Sequence, residues 1–473
     1  MNLKVFNTLK REKEDFVPLS KRSIGMYHCG PTVYHYAHIG NLRAYVFADT
    51  IRRFFEYHNI PVTQVINITD VGHLVTDADE GEDKMEKGAR REGKSAHEIA
   101  QFYEKAFMDD LAALNIRTHG TIFPRASEHI NEQIALIKTL EQKGVTYRTS
   151  DGIYFDTSKI ADYGKLDPHN ASGIKEGMRV EQNKEKKHAT DFALWKFSRA
   201  DEQREQEWDT PWGKGFPGWH LECSAMSMKY LGETFDIHTG GVDHIQIHHT
   251  NEIAQSETAT GKPFSRYFMH VAFVNVEDGK MSKSEDNFVR LATLSEKGIH
   301  PLAYRYALLT AHYRSQLLFS YDALHAAQNA LASLAAYYFQ NKFTTGISDK
   351  EYLEKIGAFL ADDFNTPKAL ALLWKLIKDS TVPPENKIAT IQQFDTILGL
   401  GLTEHAEELE QRFVSKLIRL DSLPQNIQEL IADREKARKN KDWKTADVLR
   451  QQITEQGFSI KDSEQGPQIE KIP

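Results

Sequence analysis

The stretch Met26-Tyr-His-Cys-Gly-Pro-Thr-Val-Tyr-His-Tyr-Ala-His-Ile-Gly-Asn41 limits what this chain can fold into more than any other. An apolar run ends at Cys29, and a turn then leads into His38-Ile39-Gly40. Past Gly40 the residues Leu42, Tyr45, Val46 and Phe54 recur at helical spacing, with Asp49, Arg52, Arg53 and Glu56 among the polar positions between them, which predicts a helix over 41–58. With a strand over 25–29 before it and a buried strand over 62–69 after it, the order predicts a parallel sheet. The first amides of such a helix lack intrahelical partners and carry the positive end of its dipole, so a phosphate can sit there if the side chains are small. Gly40 is small, and His38 would face the phosphate.

Two further stretches carry chemistry. Gly279-Lys-Met-Ser-Lys-Ser284 gathers two lysines and two serines in a glycine-led loop, suited to bringing positive charge to a polyphosphate. In His248-His-Thr-Asn-Glu252, His248 and Glu252 stand four apart on one helix face, where two side chains can converge on an ion. That pair alone would suit an ordinary helix face. Adding the only two cysteines, Cys29 and Cys223, gives two sulfur, one nitrogen and one oxygen donor, a set that suits tetrahedral Zn²⁺ with thiolate bonds of about 2.3 Å and imidazole bonds of about 2.1 Å. Nothing in two distant cysteines points to an oxidising compartment.

The 473 residues are long enough for about three cores. A net charge of −8 argues against nucleic-acid binding by bulk electrostatics, while leaving room for a local basic face. No long apolar run suggests a membrane span and Met1-Asn2-Leu3-Lys4 does not open a secretory signal, so a cytoplasmic protein is expected. Helical periodicity over 96–114 places Ile99, Phe102, Tyr103, Ala106 and Phe107 on one side, read as core packing. Residues 115–222 break the strand and helix rhythm, with a helix near 128–143, a hairpin over 145–155 and a polar run at 182–187, and read as an insertion. The rhythm resumes with a strand over 235–241 and a helix over 248–258. From Pro301 a series of helices follows, including 301–310, 321–339 and 366–378, with a break at Pro383-Pro384. A charged helix over 431–452 carries Arg434, Lys436, Arg438, Lys439, Lys441, Lys444 and Arg450 beside Trp443. Most such runs are solvated faces; here an RNA-contacting surface is the sharper reading.

Together, His38-Ile39-Gly40 and Lys280–Ser284 resemble the paired signatures of the class I aminoacyl-tRNA synthetases. Over nearly the whole chain the resemblance is to the cysteinyl-tRNA synthetase family, on Asn67-Ile-Thr-Asp-Val71, Pro217-Gly-Trp-His-Leu-Glu-Cys-Ser-Ala-Met226, Asp236-Ile-His238, Asn251–Ser256, His312-Tyr-Arg-Ser315, Asp363-Phe-Asn-Thr-Pro367 and Lys441-Asp-Trp443. It implies a Rossmann-type parallel-sheet catalytic domain in two halves, 1–114 and 223–290, around an inserted connective domain, 115–222. A helical tRNA-contacting domain, 291–402, and an anticodon-binding module, 403–473, complete the expected α/β architecture. The implied reaction joins L-cysteine to ATP, giving cysteinyl-adenylate and pyrophosphate, and then passes the acyl group to tRNA(Cys). His38, Gly40, Asn41, Lys280 and Lys283 would serve the phosphates of ATP, bound with Mg²⁺ as substrate. Cys29, Cys223, His248 and Glu252 would hold one Zn²⁺ per chain, with Gly30, Thr69, Trp219 and His238 shaping the amino-acid pocket and His249 outside the ligand set. A monomer with no membrane partner is expected.

The chain departs from the family pattern locally. Asn41 stands where a second histidine is common, Phe216 where arginine is common, Gln246-Ile247 and Thr250 flank the paired histidines, and Glu285-Asp286 place two acids beside Lys283. Two other functions compete. Relatives that transfer cysteine to an amino sugar share the adenylation half but lack most of the C-terminal module, which this chain has. A zinc-stabilised RNA-binding protein without catalysis would be expected to lose His38 or Lys283, and both are present.

Overall fold

The computed structural model describes residues 2–72, 84–168, 185–199, 204–276, 279–280, 288–342, 345–404, 408–409, 420, 423–463 and 466–471. At its centre is a four-stranded sheet whose strands all run parallel. It comprises β1 (Ile24–His28), β2 (Val62–Ile66), β3 (Phe235–Gly241) and β4 (Ser265–Val271) in the order β4-β3-β1-β2. Register is fixed by Met26 lying opposite Gln64 on one side and Ile237 on the other. The chain moves outward one way from β1 through α1 (Ile39–Tyr57) to β2, and the other way from β3 through α3 (His248–Thr260) to β4. Strand order therefore reverses between β1 and β3, and in open parallel sheets the crevice outside the carboxyl ends at such a point is where ligands bind.

Helix α1 is buried nearly all round. Leu42, Tyr45, Val46 and Phe54 are in the core as expected, but so are Asp49, Arg52 and Arg53, which the sequence pattern assigned to polar positions, and Arg43. The reason is pairing: Arg53 Nε donates to Asp49 Oδ2 at 2.7 Å, Arg305 reaches the same oxygen at 2.6 Å, and Arg52 donates to His119 O at 2.6 Å and to Arg117 O at 3.0 Å. Against burial, which pushes the carboxyl up, Arg53, Arg305 and the Arg117 amide hold Asp49 down to about 2. This cluster ties α1 to the helix Pro301–Leu309.

A second sheet, antiparallel in simple order, is built from Thr146–Arg148, Gly152–Phe155, Phe192–Phe197 and Gly215–Pro217. Its core of Phe155, Phe192, Leu194 and Trp195 packs on Leu221 and Ala225 of α2 (Trp219–Leu231). The helices from Pro301 to Leu398 join the main core, whereas Leu423, Ile427, Ile431, Ile453, Ile460 and Ile469 form a separate one. In that module the single helix expected over 431–452 is two, Gln425–Lys439 and Trp443–Glu455, broken where Lys441 takes φ +59° and Asp442 caps the second helix. Phe102 is also not core: it is 42% exposed, on a helix (Ala96–Ala113) that buries Ile99, Tyr103 and Phe107. No helix among the described residues is long and apolar enough to cross a membrane.

Candidate active site and metal centre

A cleft of about 420 Å³ opens at the carboxyl ends of β1 and β3, lined by Cys29, Gly30, His38, Gly40, Asn41 and Trp219 among others. Thr69 and His238 are buried beside it. The cleft owes its floor to Gly30, whose Cβ, if present, would lie 1.5 Å from Asn67 O. Glycine alone allows the end of β1 to approach the 67–69 segment this closely, and Gly30 N donates to Asn67 Oδ1 at 2.8 Å.

His38 is the N-cap of α1. Its Nδ1 accepts from Asn41 N at 3.1 Å and its own amide donates to Asn41 Oδ1 at 3.2 Å, a reciprocal capping box. An accepting Nδ1 places the proton of the neutral ring on Nε2. The amide of Ile39 is also taken, by Val289 O at 2.9 Å. The helix start thus offers a phosphate fewer open amides than the sequence suggests: of the first three, Gly40 N alone lacks a partner among the described residues. A Cβ on Gly40 would press on the His38 ring at 2.9 Å. Lys280 lies on a short strand, Gly279–Lys280, that pairs with Val274–Val276, while Lys283, Glu285 and Asp286 lie outside the described residues.

The four donor residues converge. Cys29 follows β1, Cys223 is on α2, and His248 and Glu252 are one turn apart on α3; one donor atom from each lies within 4.8 Å of the others, all buried. Glu252 is shared, with Oε1 3.0 Å from His248 Nε2 and Oε2 2.8 Å from His238 Nε2. Cys29, His238, His249 and Glu252 form a second group within the same limit, His249 Nε2 lying 3.3 Å from Cys29 Sγ. His249 is held from behind: its Nδ1 is 2.8 Å from His270 Nε2, whose Nδ1 is 2.7 Å from Thr8 Oγ1. On the other flank His220 Nδ1 lies 2.8 Å from His248 Nδ1, and the Trp219 ring lies over His248 at 4.3 Å between centroids.

Burial would drive each of these groups neutral; their neighbours resist this unequally. Burial pushes the Cys29 thiol well up. Cys223 meets the same burial, but its hydrogen bond with Cys29 and the nearby His248 bring it down to about 7. His248, against burial, is pushed up to about 10 by Glu252 and Cys223, and Glu252, against burial, is held well below the usual range by His238 and His248. Burial first, and crowding by other imidazoles second, keep His249 and His270 neutral. His238 Nδ1 is buried without a hydrogen-bond partner among the described residues. Two thiols, one of them near 7, an imidazolium and an ionised carboxylate in one dry pocket become a donor set for a soft divalent metal once the metal displaces their protons.

Sequence reasoning passed over His220, His270 and Thr8 as supports of this cluster. His270 was within reach of the parallel-sheet rule, since it is the penultimate residue of β4 and so sits at the carboxyl edge where β1 and β3 deliver Cys29 and Thr239. A cleft of similar size, about 440 Å³, lies between segment 159–166 and α3; of the charges that line it, Lys165 is paired with Glu257 and Asp162, and Lys262 with Glu233.

This fold and site define the catalytic architecture of the class I aminoacyl-tRNA synthetases. The family model for "tRNA synthetases class I (C) catalytic domain" matches residues 15–329, and that for "Cysteinyl-tRNA ligase anticodon binding domain" matches residues 420–469. Among solved structures the fold is shared with methionyl-tRNA synthetase of Mycobacterium tuberculosis in complex with methionyl-adenylate, at 15% identity and a TM-score of 0.54 over 83% of this chain and 96% of that one. It is shared also with a LeuRS–tRNA–LeuAMS complex of Agrobacterium radiobacter, at 11% identity and 0.59 over 84% and 86%. The chain is 49% identical to cysteine–tRNA ligase 1 of Burkholderia lata over 99% of its own length and 97% of the relative's. It is 43% identical to the cysteine–tRNA ligase of Treponema denticola over 98% of both. The chain belongs to the cysteine–tRNA ligase family.

Proposed function

We propose that the protein activates L-cysteine with ATP and esterifies it to tRNA(Cys), selecting cysteine through a zinc ion held by Cys29, Cys223, His248 and Glu252. The observation that carries this reading is the buried two-sulfur donor set, whose Cys29 lines the same cleft as the capped helix start at His38. When bound there, Zn²⁺ supplies a soft Lewis acid that takes a thiolate in preference to a hydroxyl. The rest is positioning by the chain's own groups. His38 presents a fixed ring to the phosphates because Asn41 pins both its Nδ1 and its amide, and Gly40 keeps the approach open beside its own N–H, which has no partner among the described residues. Asn41 thus acts on the phosphates through His38. Lys280 and Lys283 bring cations to charge that builds on the phosphates. Thr69 is oriented by donating to Glu222 Oε2 at 3.1 Å and accepting from Asn67 Nδ2 at 3.0 Å, and Trp219 walls the pocket over His248.

In this reading residues 1–114 and 223–290 perform the chemistry, 115–222 is the inserted connective domain, 291–402 contacts tRNA and 403–473 reads the anticodon, in a cytoplasmic monomer. Cysteine-dependent ATP–pyrophosphate exchange tests the first half of the reaction, and formation of cysteinyl-tRNA from purified tRNA tests the second. Exchange without acyl transfer to tRNA would favour an amino-sugar acceptor, and absence of exchange would reduce the protein to a binder.

A further inference from the structure

Arg43 is 3% exposed on α1, and no carboxylate lies within ion-pair distance of it among the described residues. Its guanidinium is satisfied by four carbonyl oxygens from two separate segments. One nitrogen donates to Ala272 O at 2.8 Å and Phe273 O at 2.9 Å; the other donates to His312 O at 3.1 Å and Ser315 O at 2.7 Å. Burial pulls the guanidinium down to about 10, which still leaves it charged at neutral pH. A buried cation without a paired anion is a costly way to fill space, and an apolar side chain would fill it at lower cost. What arginine adds is a planar fork that fixes two backbones at one spacing.

The backbones it fixes bracket the lysine signature. Ala272 and Phe273 lead directly into Val274–Val276, which pairs antiparallel with Gly279–Lys280 and parallel with Leu317–Leu318. The chain comes back past Val289, whose carbonyl accepts the amide of Ile39. Both ends of the lysine-bearing segment are therefore attached to the first turns of α1, the helix whose cap is His38. The turn 312–315 is gripped from its other side by Asp363, which accepts from Tyr313 Oη at 2.7 Å and Arg314 Nε at 2.9 Å.

We infer that Arg43 is a positioning residue for adenylate formation: its fork sets the hairpin base, Val274–Val276 with Gly279–Lys280, against the start of α1, and the step assigned above to His38 and the lysine signature depends on that spacing. This rests on the proposed role of Lys283. The test is a double-mutant cycle on the single-turnover rate of cysteinyl-adenylate formation, with cysteine affinity measured by equilibrium dialysis. Arg43→Lys keeps the charge and loses the fork; it is expected to slow the step at least tenfold with cysteine affinity within twofold. In a Lys283→Ala background the same substitution is expected to add less than twofold, because the group it positions is gone. Losses that multiply in the two backgrounds, an unchanged rate, or a parallel fall in cysteine affinity would each overturn the inference. A Lys283→Ala enzyme with the parent's rate would instead overturn the lysine reading on which it rests. If Arg43→Lys does not accumulate folded, Arg314→Met, at an exposed position, loosens the same turn from its far side: a loss of about threefold that vanishes in the Lys283→Ala background supports the inference, and an unchanged rate or a loss that persists there refutes it.

Discussion

Replacing Gly30 by alanine puts a methyl group where the backbone of Asn67 already is. The added carbon would start 1.5 Å from Asn67 O and needs about 3.4 Å, so the end of β1 and the 67–69 segment must part by about 2 Å. A backbone carbonyl has no alternative rotamer, and three hydrogen bonds span the gap: Gly30 N to Asn67 Oδ1 at 2.8 Å, Thr69 N to Pro31 O at 3.0 Å and Val33 N to Thr69 O at 3.0 Å. At about 1 kcal/mol net for each, their loss costs about 3 kcal/mol. Cys29 and Thr69 flank the gap, and a displacement of even 1 Å at a reacting centre costs about a hundredfold in rate. Gly30→Ala is therefore expected to lower stability in urea by about 3 kcal/mol and cysteine-dependent ATP–pyrophosphate exchange at least a hundredfold. Gly144→Ala is the control, since Gly144 has φ +73° but open space around it, so strain alone of about 1 kcal/mol and full activity are expected. A Gly30→Ala enzyme within 0.5 kcal/mol of the parent and fully active would refute the argument.

The buried pair of Asp49 with Arg53 and Arg305 sets an acid limit on the joint between α1 and the helical region. With its folded value down at about 2 against an ordinary 3.8, Asp49 contributes about 2 to 3 kcal/mol that is fully present above pH 4 and is lost as pH falls toward 2. Asp49→Asn is expected to lower the thermal midpoint at pH 7, with the gap to the parent narrowing below pH 4; a gap constant down to pH 3 would contradict the pairing. Ending the chain after Leu409, which belongs to the main core, removes the module that has a core of its own. This truncation is expected to keep cysteine-dependent exchange while charging of tRNA falls at least a hundredfold and loses much of its salt dependence; unchanged charging would exclude a tRNA role for the module.

Much of the fold was legible because α/β sequences announce their period. The strand at 235–241 and the helix at 366–378 have the bounds the pattern gave, and the donor residues on three different elements could be gathered because only two cysteines exist. What the pattern could not show was partnership across long sequence distances. Asp49 and Arg53 read as surface residues until Arg305 arrives from 252 residues beyond Arg53 to pair with Asp49. Phe216, where the family pattern has arginine, is covered by Arg204 stacked at 3.5 Å, so a cation returns to that place from another position in the chain. The amides of α1 read as open because nothing local foretells that Val289 will cap Ile39. The break at Lys441 was hidden because a left-handed lysine has no sequence signal of its own, although Asp442 before Trp443 is an N-cap pattern that could have been read.

X-ray absorption at the zinc edge, on protein loaded with one Zn²⁺ and measured before and after adding L-cysteine, tests the central claim most directly. The account expects two sulfur neighbours beforehand, from Cys29 and Cys223, and a third at a bond length of about 2.3 Å once cysteine is present, with L-serine leaving the spectrum unchanged. One sulfur beforehand would move the ion to the group of Cys29, His238, His249 and Glu252, and an unchanged sulfur shell on adding cysteine would contradict selection by the metal.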